Sequence, residues 1–255
     1  MPIRAATLIF SLCGALALAG GHPAADARTV LPCASFTSER LPPPAPRVTA
    51  SPARRFQAIN EEVRTAPHRV LFLGDSAVER FPHDAPEVWR EYLEQRGVLN
   101  AGISGDRAEN LLWRLRHGNL AGRAPSLVIL LIGGDDPVPG GKPRSPELIA
   151  EGIRANLLHL RRRLPATPIL LLGLLPRGAS PASEQRRRIV AVNRLISGCA
   201  DRRSVFYADI GGALLDAQGM LTAEVSPDGL HLGAAGYARL APLLAAMIDN
   251  LVGRS

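Results

Sequence analysis

Two short stretches of this chain carry residues that could make a nucleophile and its proton relay. The first is Leu73-Gly74-Asp75-Ser76, which puts a serine directly after an apolar run. A serine just past the end of a buried strand, before a turn into a helix, can turn its hydroxyl to a cleft. Its own backbone N–H can then point at an incoming carbonyl oxygen. Gly, Asp and Ser also make ordinary turns and caps, so this stretch alone decides nothing. The second stretch is Ser226-Pro227-Asp228-Gly229-Leu230-His231-Leu232. An aspartate three residues before a histidine, on one loop, can fix the imidazole's tautomer and orientation. The other ring nitrogen is then available to a serine. Between the two lie a glycine-rich loop, Asn100-Ala101-Gly102-Ile103-Ser104-Gly105-Asp106, and the run Ile132-Gly133-Gly134-Asp135-Asp136. Together these residues suit acyl transfer through a serine.

A scaffold must bring these distant stretches together. From Arg69 onward, short aliphatic runs at 70–73, 98–100, 127–132, 169–172 and 205–207 lack strict alternation, as expected of strands covered on both faces. Segments 85–96, 108–117, 146–164, 184–200 and 234–251 carry apolar residues at helical spacing, with Ile189, Val192, Ile196 and Cys199 sharing one face. Strands alternating with helices in this way predict an α/β fold, a parallel sheet with helices on both sides and right-handed crossovers. In such a sheet, function gathers at the carboxyl ends of the strands, where the stretches above fall. Upstream, Ser51-Pro52 marks a helix start, followed by Phe56, Ile59 and Val63 at helical spacing, and residues 42–52 read as an extended linker.

The order and context of these motifs resemble the SGNH, or GDSL-type, hydrolases, and among them the platelet-activating-factor acetylhydrolase-like esterases. The resemblance runs from about Arg69 to the last helix. It includes Gly102 to Arg107, Leu111-Leu112-Trp113-Arg114-Leu115, and the L-G-L-L-P-R-G run from Leu172 to Gly178. It implies a three-layer α/β/α sandwich with a five-stranded parallel sheet of flavodoxin-like order. It also implies Ser76 as nucleophile, His231 as base and Asp228 as the residue that orients His231. The backbone N–H groups of Ser76 and Gly105 would line an oxyanion hole, with no metal or organic cofactor.

One position departs from the family. The third strand end normally carries an asparagine whose side-chain N–H completes the oxyanion hole, and here that position aligns with Asp135; a one-residue slip offers Asp136. An ionised carboxylate accepts hydrogen bonds but donates none, and its charge would face the developing oxyanion. Three arrangements follow: a protonated Asp135 that donates, an Asp135 swung away toward Arg107 or Arg144, or a site kept for binding alone.

Composition bounds the rest. The 255 residues suit one full-sized domain, with 46% hydrophobic residues and a formal net charge of +7. The basic residues are almost all arginine, Lys142 being the one lysine, a skew that reads as GC-rich coding. The runs Arg161-Arg162-Arg163 and Arg186-Arg187-Arg188 sit in helical patterns without interleaved aromatics, so solvated helix faces are expected and no nucleic-acid partner. Residues 1–27 read as a bacterial signal peptide. Arg4 precedes an apolar stretch, 5–20, and small-x-small sites follow at Ala17-Leu18-Ala19 and Ala25-Asp26-Ala27. An uncleaved anchor is the other reading of the same stretch. Residues 28–67 would be a linker and helix, and 68–255 the hydrolase domain, secreted or periplasmic and without stable membrane insertion after cleavage. Cys13 would leave with the leader. Cys33 and Cys199 then either form a disulfide, as export permits, or are two separate buried thiols.

Other candidates have blander readings. Asp75 should shape its turn, Trp89 and Trp113 should be core, and His68, His83, His117 and His159 surface or capping residues; His22 falls in the leader region. The Pro- and Gly-rich loop at 137–146 either walls a cleft or simply crosses the surface. The expected activity is hydrolysis of a carboxylic ester, a small acyl group on a lipid or carbohydrate. O-acyl transfer to a glycan and silent binding of acylated glycans are the alternatives.

Overall fold

The computed structural model describes residues 31–134 and 144–253. Five strands form one all-parallel sheet: β1 (Val70–Gly74), β2 (Val98–Gly102), β3 (Leu127–Leu131), β4 (Ile169–Leu172) and β5 (Val205–Ala208), in the order β2-β1-β3-β4-β5. Every residue of β1 to β4 is buried, which explains why their sequences are unbroken aliphatic runs rather than alternating ones. This is the flavodoxin-like order of the predicted three-layer sandwich, with the sheet flanked by helices.

The order carries a consequence. From β1 the chain steps outward to β2, then crosses back past β1 to β3 and continues to β5. Right-handed crossovers therefore place α2 (Ser76–Glu79), α3 (Phe81–Asp84) and α4 (Pro86–Tyr92) on one face. They place α5 (Ala108–Arg116), α6 (Pro146–Arg163) and α7 (Glu184–Ser197) on the other, where α5 packs on α6 and α6 on α7. The final helix, α8 (Ala234–Val252), joins α4 on the first face, and α1 (Ala50–Thr65) sits against α5 through Phe56 and Trp113, whose rings are 5.1 Å apart. The point where the order reverses, between β1 and β3, is where a crevice opens at the strand ends.

Several expectations need correction. The helix expected over 85–96 ends at Tyr92 and tightens into a 3₁₀ turn, Glu94–Arg96, that Gly97 closes in the left-handed region at φ 66°. The helix expected to reach 200 stops at Ser197, so Cys199 lies beyond its end, where it is bonded to Cys33. The arginine runs are not simple solvated faces. Arg161 is buried and donates to the carbonyls of Leu164, Pro165 and Thr167, satisfying the chain end after α6. Arg186 is buried as well, donating to Gly178 and Gly219. An arginine with carbonyl partners can be buried where an unpaired one could not. His159 is half-buried rather than exposed, and its imidazole is held below the usual histidine range, mainly by burial and then by the charges of Arg116 and Arg163. Trp89 is core, whereas Trp113 is half-buried, stacked on His117 at 4.2 Å.

The segment before α1 is tied down at several points. The Cys33–Cys199 disulfide anchors it, Glu151 accepts from Phe36 N–H and Ser35 Oγ at 3.0 Å each, and Asn110 donates to the Ala45 carbonyl at 3.0 Å. Among the described residues, no helix is long and apolar enough to cross a membrane. The expected leader, 1–27, and with it Cys13 and His22, lies outside the described residues.

Candidate active site

Ser76 opens α2 at the carboxyl end of β1 and is buried. The turn that presents it is built by Asp75, whose Oδ1 accepts from Ala77 N–H at 3.1 Å and whose Oδ2 accepts from Gly134 N–H at 3.1 Å. Asp75 therefore clamps the end of β1 to the end of β3, a structural role that fits its expected one. Gly102 allows β2's end to come close: a Cβ there would lie 2.2 Å from the Glu79 backbone nitrogen. From the far side, Tyr237 of α8 donates its hydroxyl to the Ala77 carbonyl at 3.1 Å and stacks on Phe81.

The loop before α8 holds the other two residues. Asp228 Oδ1 accepts from the N–H groups of Leu230 and His231, at 2.9 and 2.6 Å, and its Oδ2 lies 2.8 Å from His231 Nδ1. A carboxylate can only accept here, so Nδ1 carries the proton and Nε2 is left as the basic nitrogen. Burial alone would raise the Asp228 carboxyl, but the His231 backbone and imidazole and the Leu230 N–H outweigh it and hold the group well below the carboxylate range. Gly229, at φ 66°, makes the turn that lets Asp228 reach back over its own loop, and Ser226 Oγ braces the His231 carbonyl at 2.8 Å. Ser76 and His231 line the same small cavity, about 20 Å³, with Gly134 and Leu230 on its wall.

Gly105 sits on the loop after β2 at φ 76°, in the left-handed region, next to Asp106. Arg114 holds this loop from below. It is fully buried and donates to Asp106 Oδ2 at 2.7 Å, to Asn119 Oδ1 at 2.7 Å and to the Gly74 carbonyl at 2.9 Å. One side chain thus fixes the Gly105 loop relative to the strand end that carries Ser76. Glu79 adds a second tie, accepting from Ser104 N–H at 2.5 Å. Above the loop, Arg47 donates to the Gly105 carbonyl at 2.5 Å. Neither Arg47 nor the strut role of Arg114 is visible from sequence spacing; the first comes from a Pro-rich stretch that reads as linker.

Not every expected site residue falls within view. Asp135 and Asp136 lie outside the described residues, as does most of the loop at 137–146. Arg144, considered as a partner for Asp135, makes a two-pronged contact with Glu109 at 2.6 and 3.0 Å, and Arg107 approaches the same carboxylate at 3.9 Å. Among the described residues, no three His, Cys, Asp or Glu side chains are grouped as a metal ion would require.

The fold and the sequence match a known class. Residues 72–239 match the GDSL-like Lipase/Acylhydrolase family, and the chain belongs to that family of carboxylic ester hydrolases. It is 33% identical over 184 residues to the platelet-activating factor acetylhydrolase IB subunit alpha2 of Rattus norvegicus, covering 72% of this chain and 77% of that one. Among solved structures it resembles a GDSL-like lipase from Bacteroides thetaiotaomicron, with a TM-score of 0.63 at 20% identity over 77% of this chain and 97% of the other. An acetylxylan esterase from Geobacillus stearothermophilus gives 0.56 at 18% identity, over 76% and 97%. These two likenesses speak for the fold.

Proposed function

We propose that the chain hydrolyses a carboxylic ester of a small acyl group through an acyl-enzyme on Ser76. The observation that carries this reading is the Asp228–His231 pair, with Nδ1 committed to the carboxylate and the ring on the same cavity as Ser76. Ser76 Oγ attacks the carbonyl carbon while His231 Nε2 takes its proton, and the N–H groups of Ser76 and Gly105 receive the oxyanion. Collapse of the tetrahedral intermediate expels the alcohol, which takes the proton from His231. Water then attacks the acyl-enzyme, giving a proton to His231; the second tetrahedral intermediate collapses with cleavage of the bond to Ser76 Oγ, which takes that proton back from His231, and the carboxylic acid leaves.

The acyl group is small because the cavity beside Ser76 and His231 has room for about one water molecule or methyl group. Acetyl fits this size, on a lipid or carbohydrate alcohol. Asp135, in place of the family's asparagine, makes the enzyme slow, since two backbone donors then carry the oxyanion without a third. Export is part of the same reading: the leader-like N-terminus supports it, and so does the Cys33–Cys199 disulfide, which an oxidising compartment preserves.

The test is labelling by a fluorophosphonate with Ser76→Ala as control. The intact protein should label and the variant should not, and hydrolysis of 4-nitrophenyl acetate should disappear with the label. Failure of the intact protein to label would leave a silent acyl-glycan binding protein as the reading.

A further inference from the structure

The loop that carries Gly105 is a tight turn. Asp106 N–H bonds back to the Ile103 carbonyl at 3.1 Å, and Gly105, third of the four residues, stands at φ 76°. Ser104 is not among the residues at positive φ, so the turn is of type II. Glycine populates both signs of φ about equally, so Gly105 does not hold this geometry by itself. Its neighbours on both sides are pinned instead. Glu79 takes the Ser104 N–H, and Arg47 donates to the Gly105 carbonyl. The Arg47 guanidinium also lies over the glycine: a Cβ on Gly105 would stand 2.8 and 2.9 Å from its Nη1 and Nη2.

The arm that delivers Arg47 is built to be stiff. It starts at the Cys33–Cys199 bond, where Arg154 of α6 donates to the Cys33 carbonyl at 3.3 Å. Glu151, also on α6, holds Ser35 and Phe36, and Asn110 of α5 holds the Ala45 carbonyl two residues before Arg47. Between these ties Pro42, Pro43, Pro44 and Pro46 lock their own φ angles and leave the chain little freedom. The arm thus crosses α6 and α5 and ends at a cleft of about 880 Å³ whose wall includes Arg47 and Gly105. Helix α5 holds both parties: its Asn110 anchors the arm, and its Arg114 anchors the loop through Asp106.

We propose that Arg47 is a positioning residue for ester hydrolysis, holding the Gly105 loop so that the Gly105 N–H meets the oxyanion formed at Ser76. This rests on the reading of that N–H as an oxyanion donor. Such a donor helps only if it is in place before the charge develops. A charged donor on the next carbonyl is a stronger restraint than a neutral one. The segment before α1 is then part of the catalytic unit, and the sheet with its helices is incomplete without it.

Kinetics of full-chain variants on 4-nitrophenyl acetate, a small neutral ester, test it. In Arg47→Ala, kcat should fall by about 10- to 100-fold with KM within about threefold, because a donor displaced by about 1 Å costs transition-state contact and not ground-state binding. Arg47→Lys keeps a charged donor and should recover part of that loss. If Arg47→Ala does not fold, Arg47→Lys against Arg47→Gln gives the same comparison. A raised KM with kcat unchanged would overturn the proposal, since Arg47 would then be touching substrate. Unchanged kinetics with a lowered melting temperature would overturn it too, leaving the arm a purely structural tie. Should the parent hydrolyse no ester, amide hydrogen exchange decides without activity. Faster exchange over 103–106 in Arg47→Ala than in the parent upholds the hold on the loop without the hydrolase, and equal exchange ends it.

Discussion

Arg114 and Asp106 form an ion pair at 2.7 Å with both side chains sealed from solvent, one residue beyond Gly105. Burial pulls the Arg114 guanidinium down, and the Asp106 carboxylate opposes that pull. Removing one partner of such a pair leaves a buried charge without compensation, at a cost of about 3–5 kcal/mol. Asp106→Ala should therefore lower the stability by that order, read by denaturant unfolding. Asp106→Asn keeps an acceptor for Arg114 and should lose less. If the pair holds the Gly105 loop, the asparagine variant should lose kcat with little change in KM. A variant as active as the parent would remove Arg114 from the set of positioning residues.

Asp135→Asn restores the side-chain donor of the family pattern. One oxyanion donor is worth about 10²–10³ in turnover, so turnover on a short-chain aryl ester should rise, by up to that factor. A large fall instead would show that the carboxyl of Asp135 has a positive role in this chain.

Asp228→Asn replaces the acceptor of His231 Nδ1–H with a group that can donate, and the favoured tautomer then puts the proton on Nε2. Activity should drop by about 10⁴, the order seen when the aspartate of a serine triad is so changed. The asparagine Oδ1 can still accept from the Leu230 and His231 N–H groups, only without the charge, so the melting temperature should fall little. Stopped hydrolysis with an unchanged circular-dichroism spectrum separates the two effects; undiminished hydrolysis would remove Asp228 from the mechanism.

Asp201 offers a clean pH dependence. Burial would raise its carboxyl, but Ser204 Oγ and the N–H groups of Arg203, Ser204 and Val205 outweigh it and hold the group well below its ordinary value. A folded-state value below the unfolded one, about 3.9 for aspartate, contributes stability that is complete above the unfolded value. That stability is lost as pH falls from about 5 through the folded value. The difference in melting temperature between the parent and Asp201→Asn should be constant near neutrality and shrink steadily below about pH 5. A difference that grows on acidification would contradict the assigned direction.

How much of this was legible in the residues depends on what kind of signal each feature leaves. Four of the five strands are continuous aliphatic runs because both faces are covered, so they stand out, and their order was legible only as what the family resemblance implies. Ser76, Asp228 and His231 could be nominated because each sits in a short local motif. Arg161 and Arg186 read as solvent-facing because sequence shows their charge, whereas burial depends on carbonyls of the chain brought to them by the fold. Arg47 gives no local signal at all: its partner Gly105 is 58 residues away, joined by a segment whose course depends on a distant disulfide. The short helices α2 and α3 leave little periodicity in four residues each, so only the turn after Ser76 could be anticipated.

The Cys33–Cys199 bond spans 166 positions, and Ser76, Gly105 and the first four strands all lie inside the ring it closes. Asp228 and His231 lie outside. A single backbone cut anywhere within the ring would leave one covalently connected molecule, separable on a gel after reduction alone. One cut between Cys199 and Asp228 would free the histidine-bearing tail from the serine-bearing body. The same bond also dates itself during synthesis: its second cysteine emerges after β4, so oxidation can occur only when four of the five strands are already available to pair.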